Sequence, residues 1–319
     1  MSLKSLSLLA LALFPFVLGH SAPPTNSRYQ ILEAPEKLAL QIDGKLFTEY
    51  HFLNVPRPYC YPVLGFNDLP MTRNWPMKTT PDEEHDHPHH QGLWYAHGDV
   101  NGKDLWSVEK EFGTTIHKKF TKIESSATGG TIESDNEWVD HESKPLCSDH
   151  RKLAFKAIGN EKILDFDVTI QATHGDVTFG DTKEGSMAIR VTETMRVKGK
   201  VAKGHIINSE GVKDDQTWSK RADWVDYFGP VEGTTVGVAM FDHPTNPRHP
   251  TTWHVRDYGL FAANPFGLHD FEKKPKDAGK FLIKSGETAT FRYRFVFHEG
   301  DEKQGHVAEH YKAYTTNAE

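Results

Sequence analysis

The sequence predicts an all-β protein, an antiparallel β-sandwich with one short C-terminal helix. Three observations lead there: short β-branched or aromatic segments of alternating polarity, Gly and Pro residues punctuating them, and almost no helical periodicity before residue 302. The first strands are Lys37 to Ile42 and Lys45 to Leu53, joined by Asp43-Gly44, a strong hairpin-turn signal. Gly130 to Asp135, Lys162 to Gln171, Met187 to Val197, Thr235 to Phe241 and Lys280 to Ile283 follow. Thr288 to Phe297 is the clearest strand, with Phe291, Tyr293, Phe295 and Phe297 on one face and Arg292 and Arg294 on the other. Glu302 to Tyr314 reads as an amphipathic helix carrying Val307, His310, Tyr311 and Tyr314 along one stripe. The segment from Asp257 to Gly267 reads as a buried loop. No repeat, linker or composition shift divides the chain, so one sandwich domain is expected from residue 25 to 319.

Residues 1–19 have one early cation, Lys4, then an apolar run from Leu6 to Leu18, then small residues around Gly19, Ser21 and Ala22. That is the pattern of a secretory signal peptide cleaved between residues 19 and 22, so a secreted or periplasmic protein is expected. No other segment approaches the roughly 20 apolar residues of a spanning helix, so no membrane partner is expected after signal removal. A net charge of −7, with acidic and basic residues mixed along the chain, gives no attraction to nucleic acid. Cys60 and Cys147 fit either one bridge or two buried thiols.

The chemistry is expected where histidine is dense. Five of the thirteen residues from 85 to 97 are histidines: His85, His87, His89, His90 and His97. Imidazole titrates nearest neutral pH and is the commonest neutral metal ligand, so such clustering suits proton transfer or metal binding. Pro88 biases His87 toward an extended backbone, which would aim His87 and His89 to one side. A second stretch, Asp242 to Asp257, adds His243, His249 and His254 with Arg248 and Arg256. There Trp253-His254-Val255-Arg256 alternates, so His254 and Arg256 share a face. An aromatic ring, an imidazole and a guanidinium on one surface suit sugar recognition. Arg73 precedes the first cluster and offers a fork for a carboxylate. Asp181 to Gly185 reads either as a solvated turn or as the carrier of a base, Glu184, ahead of the strand with Arg190. His85 alone reads as a solvated loop residue. There is no phosphate loop, no Gly-x-Ser-x-Gly elbow, no His-Glu-x-x-His helix and no Cys-x-x-Cys pair.

The blocks Arg57 to Gly65, Arg73 to Met77, His85 to Trp106, Asp181 to Arg190 and Asp242 to Gly267 resemble a family of exported bacterial proteins of unknown function. That family was once labelled "methane oxygenase PmoA". The methane subunit is an integral membrane protein, and this chain has no spanning segment beyond its export signal. The resemblance implies instead the galactose-mutarotase-like β-supersandwich shared with polysaccharide lyases, and carbohydrate metabolism. In that comparison His87, His89, His90, His97 and His254 fill the place of a mutarotase's central histidines. No late glutamate sits in a recognisable motif, so Glu184 or Asp242 stands in for its base.

These readings combine into an exported carbohydrate-active enzyme acting on a mono- or oligosaccharide, uronic and oxidised sugars included, by His/Arg acid–base chemistry. Lyase or dehydratase chemistry is preferred over epimerisation. The expected acid–base groups are His87, His89, His90, His254 and Glu184. Arg73, Trp94, His97, Arg190, Arg248, His249 and Arg256 are expected to bind substrate. No particular cofactor is specified, and the one the sequence leaves open is a divalent metal. One alternative is a sugar hydrolase with a divalent metal on His87, His89 and a third residue of the second stretch. The other is a non-catalytic glycan-binding module built on aromatic platforms.

Overall fold

The computed structural model describes residues 27–81 and 83–316; the expected signal peptide lies outside them. The chain forms β1 (Tyr29–Glu33), β2 (Lys37–Ile42), β3 (Lys45–His51), β4 (Tyr59–Val63), β5 (Leu93–His97) and β6 (Thr114–Ser125). Next come β7 (Gly130–Val139), β8 (Pro145–Ile158), β9 (Glu161–Gln171), β10 (Val177–Phe179), β11 (Gly185–Arg190) and β12 (His205–Asn208). The last third holds β13 (Trp224–Val231), β14 (Thr234–Asp242), β15 (Trp253–Val255), β16 (Leu260–Ala263), α1 (Leu268–Glu272), β17 (Phe281–Ile283), β18 (Thr288–Glu299) and α2 (Val307–Thr316).

Two eight-stranded antiparallel sheets result. The first runs β1-β2-β3-β4-β5-β11-β16-β15 and the second β12-β13-β14-β18-β9-β8-β7-β6, with β10 and β17 paired separately. The expected sandwich and its short C-terminal helix are both present. Alternation does the sorting: Phe291, Tyr293, Phe295 and Phe297 of β18 are fully buried between the sheets. On the opposite face of β18, Arg294 donates to Asp165 across the β9 ladder at 2.6 Å. Asp43 and Gly44 join β2 to β3 with positive φ at both positions, 53° and 75°, as a tight hairpin turn of the primed type requires.

Four expectations change. β11 stops at Arg190 rather than Val197, because residues 193–195 tighten into a 3-10 turn after the strand leaves the sheet. The segment 257–267 is not all loop: β16 pairs with both β11 and β15 there. The C-terminal helix starts at Val307, after a run of turns. His87 is not extended but left-handed, with φ 43°. Cys60 and Cys147 are both free and fully buried.

The strands β5, β11, β15 and β16 are buried on both faces. Their inner face packs on the second sheet, and long loops roof their outer face. That roofed surface holds the histidines. Because Phe295 fills the middle of the inter-sheet layer, we expect Phe295→Ala to cost about 3–5 kcal/mol, read as a lowered midpoint in urea unfolding at unchanged slope.

Candidate active site

The floor is set by strand register. Trp94 pairs with Ala188, Ala188 with Ala262, and Ala262 with His254, so these four residues form one row across β5, β11, β16 and β15. Three strand spacings put the Cα atoms of Trp94 and His254 roughly 14 Å apart. The two alanines between them leave a trough. In the neighbouring row Arg190 pairs with Leu260, whose carbonyl accepts from the Arg256 amide at 2.7 Å. Arg190, Leu260 and Arg256 therefore cross the sheet beside the first row. Above both rows lies a cleft of about 390 Å³, whose lining includes His87, His89, His90, Glu184, His254, Arg256 and Tyr258.

The histidine loop is fastened from behind. Gly92, at φ 61°, closes it against β4, where a Cβ would lie 2.1 Å from the Cys60 carbonyl oxygen, so only glycine fits. Arg57, fully buried, donates to the carbonyls of His89 (3.3 Å) and Ser107 (2.9 Å). Arg73 donates to the Asp86 carboxylate and to the carbonyls of Trp75, Asp86 and His87. Holding those carbonyls keeps His87 in its left-handed conformation. Arg190 reaches Asp86 at 3.2 Å and His90 at 3.0 Å. Burial by itself would raise the Asp86 carboxyl, but His87, Arg190 and Arg73 together hold it well below the usual carboxylate range.

Hydrogen bonding then fixes what each imidazole presents. Arg190 is always a donor, so His90 Nδ1 accepts from it and the proton of neutral His90 sits on Nε2. Burial first, then Arg190, keeps His90 neutral by pushing its pKa well down. His254 is the converse: Nδ1 donates to the Lys183 carbonyl at 2.7 Å, which leaves the Nε2 lone pair, buried and without a partner. Burial pushes His254 down to about 4. His87 donates from Nδ1 to Asp86 at 2.7 Å, which leaves the lone pair of the neutral ring on Nε2. His89 is pushed down to about 4 by burial, then by Arg57 and His87, and its Nδ1 has no partner. Rings stack in a column, Trp94 on His90 (5.4 Å), His90 on His87 (4.7 Å) and His87 on Tyr258 (5.3 Å).

Of the residues singled out in the sequence, His87, His89, His90, His254, Glu184 and Arg256 meet in this cleft. Trp94 lies beneath His90, and Arg190 orients it. Glu184 stands at the rim, paired with Lys183 at 3.0 Å. Four others are elsewhere. His97 follows Leu93 and Tyr95 onto the inner face of β5, bonded to the Gly180 carbonyl and packed on Phe179 and Phe266. Arg73 is fully buried and committed to Asp86 and the loop carbonyls. Arg248 donates to the carbonyls of Pro265, Gly279 and Lys280. His249 is held by Asp242 at 2.8 Å, and that bond, more than any other contact, raises its pKa. His85 stacks on Trp75 outside the cleft.

The His87 and His89 rings meet edge to face at 74°, with centres 5.7 Å apart. Among the described residues no three His, Cys, Asp or Glu side chains converge as a metal site. Asp86 and Tyr258 were missed by the sequence reading. The signal for Asp86 was present: a lone carboxylate inside an imidazole run, with arginines to be neutralised. Nothing local marked Tyr258.

The fold and site define an antiparallel β-sandwich whose roofed sheet carries an imidazole cleft. The chain belongs to the family of unknown function DUF6807, whose model matches residues 37–312. No curated protein sequence matches it. Among solved structures it is similar to the GH36 α-galactosidase AgaA from Geobacillus stearothermophilus, with TM-score 0.43 and 10% identity over 87% of this chain and 41% of that one. It is also similar to a polysaccharide lyase, with TM-score 0.36 and 11% identity over 89% and 34%. A galactose mutarotase-like protein from Lactobacillus casei ATCC 334 gives TM-score 0.33 and 9% identity over 85% and 100%. The chain thus spans less than half the length of the first two. No described helix is long and apolar enough to cross a membrane.

The Asp86 hub yields a pH-dependent prediction. Its folded carboxyl titrates below the unfolded value of about 4, so its stabilisation is full above that value and is lost as pH falls toward the folded one. We expect Asp86→Asn to destabilise the protein at neutral pH by roughly 1–3 kcal/mol, a buried-pair loss discounted for partial exposure. In denaturant titrations the gap to the wild type should narrow on acidification.

Proposed function

We propose that this chain is an exported carbohydrate-active enzyme that binds a small sugar in the histidine cleft and transforms it by acid–base chemistry. The observation that carries the reading is the opposed hydrogen-bonding polarity of its imidazoles: His90 offers a proton at Nε2, while His87 and His254 offer lone pairs. A sugar carbon bearing hydrogen and hydroxyl needs both kinds of partner. Aromatic rings beside them suit the apolar face of a pyranose. The N-terminal sequence of residues 1–19 supports export.

In the preferred lyase or dehydratase chemistry, His87 Nε2 takes a proton from a carbon next to a carbonyl or carboxyl group. The electron pair moves onto that group as an enolate, and then returns to expel a β-oxygen. Asp86 stabilises the imidazolium formed on His87, as a carboxylate does in hydrolytic triads. His90 Nε2–H and Arg256 supply the donors for the enolate oxygens. The departing oxygen recovers the proton from His87. One observation favours a second outcome: His254 closes the far end of the floor row from Trp94, on which His90 and then His87 are stacked. A proton taken on that other side by the His254 Nε2 lone pair, and replaced from a His87 imidazolium paired with Asp86, would invert the carbon, which is epimerisation. Product analysis by NMR separates the two, since elimination leaves a vinylic proton and epimerisation leaves none.

We expect His87→Ala to lower turnover by about 10²–10⁴-fold in either chemistry and His254→Ala to do so for epimerisation, while His85→Ala stays near wild type. Because His254 acts as a neutral base and titrates at about 4, activity should be sustained at neutral pH and fall on acidification toward that value. Histidine variants that bind sugar and turn it over at the wild-type rate would contradict the assignment. Binding with no turnover in the wild type would favour a glycan-binding module.

A further inference from the structure

Arg256 differs from every other arginine around the cleft. Arg73 and Arg190 share Asp86, Arg57 donates to two carbonyls, and Arg196 pairs with Glu193 and with Glu84. The Arg256 side chain, by contrast, has no hydrogen bond or ion pair among the described residues. It is held by rings alone, 5.3 Å from the centre of Tyr258 and 5.8 Å from that of Trp218. Ring contacts hold a guanidinium through its face and leave the N–H donors in its plane unspent. Among the described residues the other cationic side chain lining the cleft, Lys183, is already paired with Glu184, and Asp104 and Glu109 line it as well. The buried guanidinium groups of Arg73 and Arg190 have one bonded carboxylate between them. Arg256 is thus set apart by its unspent donors, and not by any lack of acidic side chains around it.

We infer that the substrate is a small sugar acid whose carboxylate docks in plane on the Arg256 guanidinium. This rests on the acid–base sugar reading and names its substrate class. A carboxylate matches the fork bidentately, which a sugar hydroxyl cannot. A cleft of about 390 Å³ is near the lower end of ligand sites, about 300–1,000 Å³, and so suits one or two sugar rings. Arg256 lies two residues beyond His254 on the same face, roughly 7 Å along the strand. A carboxylate seated there docks on the same face of the sheet as His254, whose Nε2 lone pair is unpartnered.

The test compares binding of D-glucuronate and D-galacturonate with that of the neutral isostere D-glucuronamide, by calorimetry or ligand-observed NMR on the mature protein. The acids should bind at least about tenfold more tightly than the amide, with a preference that shrinks as salt is raised. Arg256→Gln should abolish the preference, and Arg256→Lys, which keeps charge but not the planar fork, should restore only part of it. Equal binding of acid and amide by the wild type overturns the inference even if a variant fails to fold. That result leaves the carbohydrate reading standing if His87 and His254 variants still lose binding or turnover of neutral sugars. Failure of all three probes to bind at millimolar concentration counts against both.

Discussion

A single carboxylate, Asp86, is shared by two buried guanidinium groups and one imidazole, and the cleft depends on that sharing. Without it, Arg73 and Arg190 would be neighbouring like charges out of water with no bonded carboxylate, left to loop carbonyls, His90 and the Tyr258 ring. The consequences run outward. Asp86 fixes the proton of His87 on Nδ1, and by anchoring Arg190 it sets the proton of His90 on Nε2. One acid thus decides what two imidazoles present to a ligand. It also holds the left-handed turn at His87 through Arg73, which grips the adjacent carbonyls.

The sheet supplies the rest by register. A strand has two faces, and each strand beneath the cleft must satisfy both: Leu93, Tyr95, Met187, Ile189, Phe261 and Ala263 fill the inter-sheet core, while Trp94, Ala188, Ala262 and His254 line up outside. Small residues in the middle of that outer row make space, and large ones at its ends make walls. The site is thus a gap in side-chain volume on a rigid surface, roofed by loops that the arginines pin down. A one-residue slip of β11 would replace Ala188 with a core residue and close it.

How much of this was legible in the sequence follows from range. Alternation is local, so β18 and the β2–β3 hairpin could be read directly, and so could the shared face of His254 and Arg256. The same alternation, counted from Trp94, would have sent His97 inward, yet the density of histidines drew it into the site. Arg73, Arg248 and His249 were misplaced for a different reason. Their partners, the Asp86 carboxylate and loop carbonyls, several carbonyls near residue 279, and Asp242, are set by loop closure, which leaves no periodic trace. Pro88 argued for an extended His87, but the hydrogen bonds from Arg73 outweigh that local preference. The histidine clusters themselves were readable because no packing demand explains so many imidazoles together. Their division into donors and acceptors was not, since it depends on Arg190 and the Lys183 carbonyl, both remote in sequence.

Buried, neutral imidazoles of opposite polarity face one cleft, and the proposed chemistry turns on that opposition. Long-range nitrogen–proton correlation NMR on protein labelled at the histidine ring nitrogens tests it directly, with His90→Gln and His254→Gln variants supplying the assignments. At neutral pH His90 should be a neutral Nε2–H tautomer and His254 a neutral Nδ1–H tautomer. Finding both rings in the same tautomer, or either one protonated on both nitrogens, would contradict it.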